Sequence, residues 1–214
     1  VRHRHDYRQV ALVARVWRAN SHRGRAYERF TPQGPVALLP EGDHYSLVWT
    51  ATPERAQSLL EASDAAFLAT LAAHFGTRTG GFTRVADRRS FPLALEFARQ
   101  PSAVRCVALG NAAQTLHPVA GQGFNVGLRD AYELGQVILD TPRDALGDRP
   151  MLERYVRGRR ADRFGGVAFT HGLVTIFGND VPFARWPRGL ALTLLDVLPP
   201  VRRLFTRAML FGLH

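Results

Sequence analysis

The sequence predicts a mixed α+β fold: an antiparallel substrate-domain sheet, the last strand-helix unit of an incomplete α/β domain, and C-terminal helices. Three observations carry this. Strand-patterned segments, the first of them rich in valine, are separated by turn signals through Gln9–Thr50. Val104–Asp130 (VRCVALGNAAQTLHPVAGQGFNVGLRD) passes from an apolar run through a glycine loop into a helix-period pattern. Helix-period segments then occupy the rest of the chain.

The elements follow in order. Gln9–Arg18 (QVALVARVWR) reads as a strand and Asn20–Arg25 as a loop. Ala26–Thr31 and Val36–Leu39 read as strands around the turn Pro32-Gln33-Gly34-Pro35. Glu41-Gly42-Asp43 turns the chain again into His44–Thr50. Thr52-Pro53-Glu54 is a helix start, with threonine at the N-cap and proline at N1. Leu60, Phe67, Leu71 and Phe75 continue one helix that Gly76 ends. Phe82–Ala86 and Ser90–Ala98 read as two further strands. Val104–Leu109 has the length of a buried strand, with Cys106 inside it. The helix beyond is expected from Gly123 to Leu139, with Phe124, Leu128, Ala131, Gly135 and Ile138 on its apolar face. Gly127 and Gly135 would admit a close neighbour. Thr141-Pro142 stops it.

Met151–Phe164 is expected as a second helix whose basic face holds Arg154, Arg157, Arg159, Arg160 and Arg163. Gly189–Val197 and Val201–Leu213 read as further helical segments around Pro199-Pro200. The expected division is 1–101 for the sheet with its helix, 102–140 for the strand-loop-helix unit, and 141–214 for the C-terminal helical region. A lone strand-loop-helix unit cannot form a doubly wound sheet by itself. With an opening that lacks methionine and enters a strand pattern at once, this suggests a fragment.

Composition narrows the class. At 46% hydrophobic and 21% charged residues the chain reads as globular rather than disordered. The single cysteine excludes an internal disulfide framework and suits a reducing compartment. No apolar run has the length of a membrane-spanning helix. The net charge of +10 comes entirely from arginine, spread over every element, which argues against a nucleic-acid patch.

The chemistry concentrates in the central stretch. A helix starting near Gly123 offers the N–H groups of Gly123, Phe124 and Asn125 and the positive end of a macrodipole to an electron-rich partner. Glycines let the backbone approach a flat ring. Asn111 is placed to bond a sugar-like hydroxyl, and Pro118 is a rigid wall without a donor. A phosphate or a flavin edge would both suit this. For an isolated Gly-x-Gly, an ordinary strand-helix connection with packing glycines would be the better explanation.

The ordered set Gly110-Asn111-Ala112-Ala113, His117-Pro118 and Gly121-Gln122-Gly123-Phe124-Asn125 resembles the second FAD-binding motif of aromatic hydroxylases with the p-hydroxybenzoate hydroxylase fold. The usual motif opens Gly-Asp-Ala-Ala-His; Gly110-Asn111-Ala112-Ala113-Gln114 with Thr115-Leu116-His117-Pro118 is similar to the 2-polyprenyl-6-methoxyphenol hydroxylase branch of ubiquinone biosynthesis. Flanking stretches agree: Ala26–Pro32 and Gly34–Pro40 resemble that branch's substrate-domain sheet. Thr170–Val174, Asn179-Asp180 and Arg188–Leu192 resemble its C-terminal region.

The resemblance implies a cofactor-binding set of Gly110, Asn111, Ala112, Thr115, Pro118, Gly121, Gln122, Gly123, Phe124 and Asn125. Asn111 would contact the ribityl or pyrophosphate region, Pro118 would lie beside the isoalloxazine, and Phe124 and Asn125 N–H groups would stabilise the N1–O2 edge. His117 is the one candidate for a catalytic role, and no metal is implied. The intact enzyme would use FAD, NAD(P)H and O2 to hydroxylate a polyprenyl phenol. The family's N-terminal Gly-x-Gly-x-x-Gly is absent, and GTRTGG at Gly76–Gly81 does not replace it, so this chain is expected to be inactive alone. Tyr27, Phe30 and Trp49 are candidates for an apolar substrate pocket or for core. The basic, apolar tail suggests peripheral contact with a membrane surface on the cytoplasmic side, and other ubiquinone-biosynthesis proteins are possible partners. The competing reading is a non-catalytic protein or lipid interaction module that has lost flavin binding.

Overall fold

In the computed structural model, residues 2–177, 189, 193–194 and 197–211 are described. Their elements are β1 (Arg2–Arg18), β2 (Tyr27–Thr31), β3 (Gly34–Glu41), β4 (His44–Ala51), α1 (Pro53–Glu61), α2 (Asp64–Phe75) and β5 (Phe82–Ala98). There follow β6 (Ser102–Ala103), β7 (Cys106–Val107), β8 (Gln114–Thr115), α3 (Gln122–Leu139), α4 (Arg149–Phe177) and α5 (Pro199–Phe211). The chain divides into two compact units. One is formed mainly by Asp6–Leu93; the other holds Val1–His5, Ala94–Ile176 and the C-terminal segment.

In the first unit the strands lie in the order β2-β3-β4-β1-β5. The antiparallel register places Leu12 opposite Trp49 and Trp49 opposite Val36. Two residues on, Ala14, Leu47 and Leu38 stand in one row. Directly opposed residues share a face, so these rows define one apolar side of the sheet. α1 and α2 supply Leu59, Phe67, Leu71 and Phe75 to the same core. Trp49 and Tyr27 are therefore packing residues: Trp49 meets Phe67, and Tyr27 meets Tyr45 and Phe75, edge to face. A burial of this kind is worth about 3–5 kcal/mol for a large aromatic against alanine.

Two boundaries differ from the sequence reading. The expected single helix is two helices. Thr52 caps α1 as predicted, its hydroxyl accepting from Arg55 N at 3.3 Å. Ser63 caps a second start, accepting from Ala66 N at 3.3 Å. The break is held by Arg88, whose guanidinium donates to Leu59 O at 3.0 Å, Ala62 O at 2.6 Å and Asp64 Oδ1 at 2.8 Å. The two expected strands at 82–98 are one strand. The polar break is absorbed by Asp87 alone, which takes a left-handed conformation (φ 56) without ending the strand.

In the second unit the helix predicted from Gly123 to Leu139 is present as α3. α4 runs well past the predicted Phe164, to Phe177. Its Gly165-Gly166 pair does not stop it; Gly166 faces Val126 and Leu116, which a Cβ there would meet at ordinary contact distances of 3.4 and 3.8 Å. The predicted Gly189–Val197 segment falls largely outside the described residues, and the last predicted helix is α5.

The expected buried strand at Val104–Leu109 is corrected. Only Cys106–Val107 forms a strand, paired with Ser102–Ala103 in a small hairpin whose turn holds Val104, 93% exposed, and left-handed Arg105. Cys106 is exposed rather than inert in a core. An apolar run becomes a parallel-sheet strand only between neighbouring strands, and no described element supplies them. No described helix is long and apolar enough to cross a membrane.

Candidate functional site

The loop from Gly110 to Gly121 is built by turns of backbone. Gly110 is left-handed (φ 55), which glycine adopts without steric cost. Its carbonyl accepts from Ala113 N at 2.9 Å, and Leu109 O accepts from Ala112 N at 3.2 Å. Gly110 also lies against α3: a Cβ on Gly127 would stand 3.3 Å from Gly110 Cα. The close approach expected at Gly127 is thus made by the loop itself. Gly135, expected to do the same, has nothing within 4 Å of its Cβ position.

Downstream, Ala113 O accepts from Ala98 N at 2.8 Å, and Gln114 and Thr115 pair with Phe97 and Glu96. The backbone of Ala112 is tied to Arg2, whose Nη2 donates to its carbonyl at 2.9 Å. Asn111 has an exposed side chain, while its carbonyl accepts from Thr115 Oγ1 at 3.4 Å.

His117 is 1% exposed, and its Nδ1 accepts from Val119 N at 3.1 Å. Burial lowers its pKa to about 4, so the ring is neutral near pH 7 with its proton on Nε2. In this setting it shapes the turn before the helix. Pro118 follows half-buried, its carbonyl accepting from Gly121 N at 2.9 Å.

Gly121 is left-handed (φ 60) and serves as the N-cap of α3, with no side chain capping the helix. Neither Gly121 nor Gly123 has any atom within 4 Å of its Cβ position. The first-turn N–H groups therefore emerge at an open, glycine-lined helix start with positive potential. That is a fit for an electron-rich, flat ligand edge. Gln122 is buried beneath it and Phe124 is exposed.

The face of α3 differs from expectation. Phe124 and Leu128 are 77% and 60% exposed, Ile138 is exposed too, and the buried positions are Gln122, Val126 and Asp130. The reason is a buried polar cluster that periodicity of apolar residues does not reveal. Asp130 Oδ2 accepts from Gly110 N at 3.0 Å and Gln114 Nε2 at 2.8 Å; its Oδ1 accepts from Arg159 Nε at 2.8 Å. Arg159 donates to Asp162 at 2.5 Å, and Asp162 also receives Arg129 at 2.8 and 3.2 Å. Arg163 donates to Gln114 Oε1 at 2.5 Å and to Ala113 O at 3.3 Å.

Arg159, expected on the basic face of its helix, is thus fully buried, whereas Arg154, Arg157 and Arg160 are exposed. Burial opposes its charge, but hydrogen bonds to Asp130 and Asp162 outweigh this and raise its pKa above the ordinary value. Burial likewise opposes the Asp162 carboxylate, and Arg129 and Arg159 still hold it below its usual range. Burial of Tyr155 beside Asp130 pushes its phenol up to about 12. The signal that was available is spacing: Gln122, Val126 and Asp130 recur every four residues, as do Tyr155 and Arg159.

Two clefts in the same unit, of about 570 and 540 Å³, share Arg99, Pro101 and Val156, and neither is lined by the Gly110–Asn125 loop. Among the described residues no group of three or more His, Cys, Asp or Glu side chains is placed to hold a metal.

A family model described as an FAD binding domain matches residues 6–163. The chain belongs to the FAD-binding domain family. The chain is 38% identical over 204 residues to the ubiquinone hydroxylase UbiL of Rhodospirillum rubrum, covering 94% of this chain and 48% of that protein. It is 35% identical over 193 residues to the 3-demethoxyubiquinol 3-hydroxylase of Escherichia coli, covering 89% and 49%. Among solved structures it is similar to p-nitrophenol 4-monooxygenase PnpA from Pseudomonas putida, with a TM-score of 0.73, 16% identity and coverage of 98% and 55%. It is also similar to the anhydrotetracycline hydroxylase OxyS from Streptomyces rimosus, with a TM-score of 0.65, 21% identity and coverage of 98% and 41%. These structures show a shared fold, the mixed α/β architecture with a curled antiparallel sheet. The chain spans about half the length of the relatives it matches.

Proposed function

We propose that this chain carries half of the flavin site of an FAD-dependent aromatic-ring monooxygenase that hydroxylates a polyprenyl phenol in ubiquinone biosynthesis, with NAD(P)H as reductant and O2 as co-substrate. The carrying observation is the open, uncapped start of α3 at Gly121–Phe124, reached from a left-handed Gly110 that is pinned in place. The similarity to ubiquinone hydroxylases supports the reaction class.

Bound FAD would supply the redox chemistry that activates oxygen for transfer of a hydroxyl to the ring. The chain's own residues bind and orient. Gly123 and Phe124 would offer their N–H groups, with the helix dipole behind them, to the part of the flavin that gains negative charge. Asn111 keeps an amide oxygen able to accept from a ribityl hydroxyl without adding a second negative charge. Pro118 offers a donor-free wall. His117, its Nδ1 turned to Val119 N, brings no positive charge of its own to the loop near pH 7.

A membrane-resident substrate also gives α5 a role. Its Leu204 and Leu210 are exposed alongside Arg202, Arg203 and Arg207, the mixture that suits adsorption to an anionic lipid surface. Peripheral attachment on the cytoplasmic face is part of this reading.

Titration of FAD with the purified protein, followed by flavin fluorescence, tests the proposal. Saturable quenching that a Gly123→Val substitution weakens is the expected result. No saturable binding by the wild-type protein would favour an interaction module without flavin.

A further inference from the structure

Asp130 has duties on both sides of its carboxylate. Oδ2 accepts from Gly110 N and Gln114 Nε2, while Oδ1 accepts from Arg159 Nε. Asp130 and Arg159 are 0% exposed. Such a pair is a poor source of stability compared with apolar residues of similar size. Its value lies in what it fixes. Here it fixes the N–H of a left-handed glycine at the head of the ligand-facing loop, and through Gln114 and Arg163 it reaches the far end of the same turn at Ala113. Gly110 is in turn seated on Gly127, one helical turn before Asp130.

We propose that Arg159, acting through Asp130, is a positioning residue for the flavin loop: the buried pair holds the Gly110 N–H, and with it the backbone from Gly110 to Ala113, in the conformation that receives the cofactor. This rests on the reading of that loop as flavin-binding. Arg159 touches no cofactor itself.

The chemistry gives a discriminating set of variants. Asparagine at 130 has one oxygen. Whichever way its amide turns, an NH2 group faces either Arg159 or the donors of Gly110 and Gln114. With Arg159→Met beside it, Asp130→Asn can give its oxygen to Gly110 and Gln114 and turn its NH2 toward the apolar side chain. Asp162 still keeps Arg129 in that double variant. A residue that merely fills space predicts no such rescue.

The experiment measures amide hydrogen exchange at Gly110 and Ala113, relative to core amides such as Leu71, together with FAD affinity, in the 214-residue protein. Each single variant is expected to accelerate Gly110 exchange about tenfold and to weaken FAD binding by a similar factor, the scale of one lost charge-assisted hydrogen bond. D130N/R159M is expected to recover most of both. Wild-type Gly110 exchange in both single variants, or a double variant no better than the worse single, overturns the proposal. A wild-type protein that binds no FAD would sink the flavin reading instead, and the exchange series, read without flavin, would still decide the positioning claim. If a single variant does not fold, the double variant decides alone. Folded with Gly110 protected, it supports the proposal; unfolded, or with Gly110 unprotected, it overturns it.

Discussion

Gly127 of α3 packs so closely on Gly110 that a Cβ at position 127 would stand 3.3 Å from the Gly110 Cα. The obstacle is backbone, which cannot swing aside. Alanine at an interior helical position gains about 1 kcal/mol over glycine, while overpacking costs about 1–3 kcal/mol. For Gly127→Ala the second effect wins, and a net loss of about 1 kcal/mol is expected in urea unfolding. Gly135, on the same helix, has nothing within 4 Å. There Gly135→Ala is expected to gain about 0.5–1 kcal/mol. The same substitution with opposite signs tests the loop's seat on the helix; equal effects would contradict it.

Acid stability reports on His117. Its folded pKa of about 4 lies below the ordinary 6.5, so the unfolded chain binds the proton more readily. The neutral ring's contribution is fully present above pH 6.5 and is lost as pH falls from 6.5 through about 4, by at most about 3 kcal/mol. His117→Asn keeps an acceptor for Val119 N–H but no longer titrates. A flatter stability profile between pH 6.5 and 4 is expected; an unchanged slope would assign the acid loss to other groups.

Arg88 closes the break between α1 and α2 by donating to Leu59 O, Ala62 O and Asp64. Arg88→Met retains the stem and removes the donors. A loss of about 1–2 kcal/mol is expected in thermal or urea unfolding, the cost of leaving helix-end carbonyls without their partner. A neutral result would show that solvent replaces the guanidinium.

Flotation with anionic liposomes tests the lipid reading of α5. Replacing Arg202, Arg203 and Arg207 by glutamine is expected to reduce recovery with the lipid and to flatten its salt dependence. Equal recovery of wild type and variant would remove that helix from the account.

Much of this molecule was legible before its structure. The turns expected at Pro32–Pro35 and Glu41–Asp43, the Thr52 cap and the start of α3 depend on residue types whose backbone preferences act locally, and each stands within a residue or two of where the sequence puts it. What failed depends on partners. Val104–Leu109 is apolar enough for a buried strand, but strand formation needs neighbours. The stripe of Phe124 and Leu128 marks an apolar face without saying what covers it. Arg159 reads as part of a basic helix face because desolvation by distant segments leaves no mark on local pattern. Motif order singled out the Gly110–Asn125 loop proposed to bind flavin, whereas the polar cluster beneath it, Gln114 included, was visible only once α3 and α4 were side by side.

The central claim is that Gly110–Asn125 receives a flavin. Residue-resolved amide NMR of the 15N-labelled protein during FAD addition tests it most directly. The account predicts saturable shifts concentrated at Gly110–Ala112 and Gly121–Asn125, with the amides of the Leu12, Trp49 and Phe67 core unmoved. Shifts centred elsewhere, or none at saturating FAD, would contradict it.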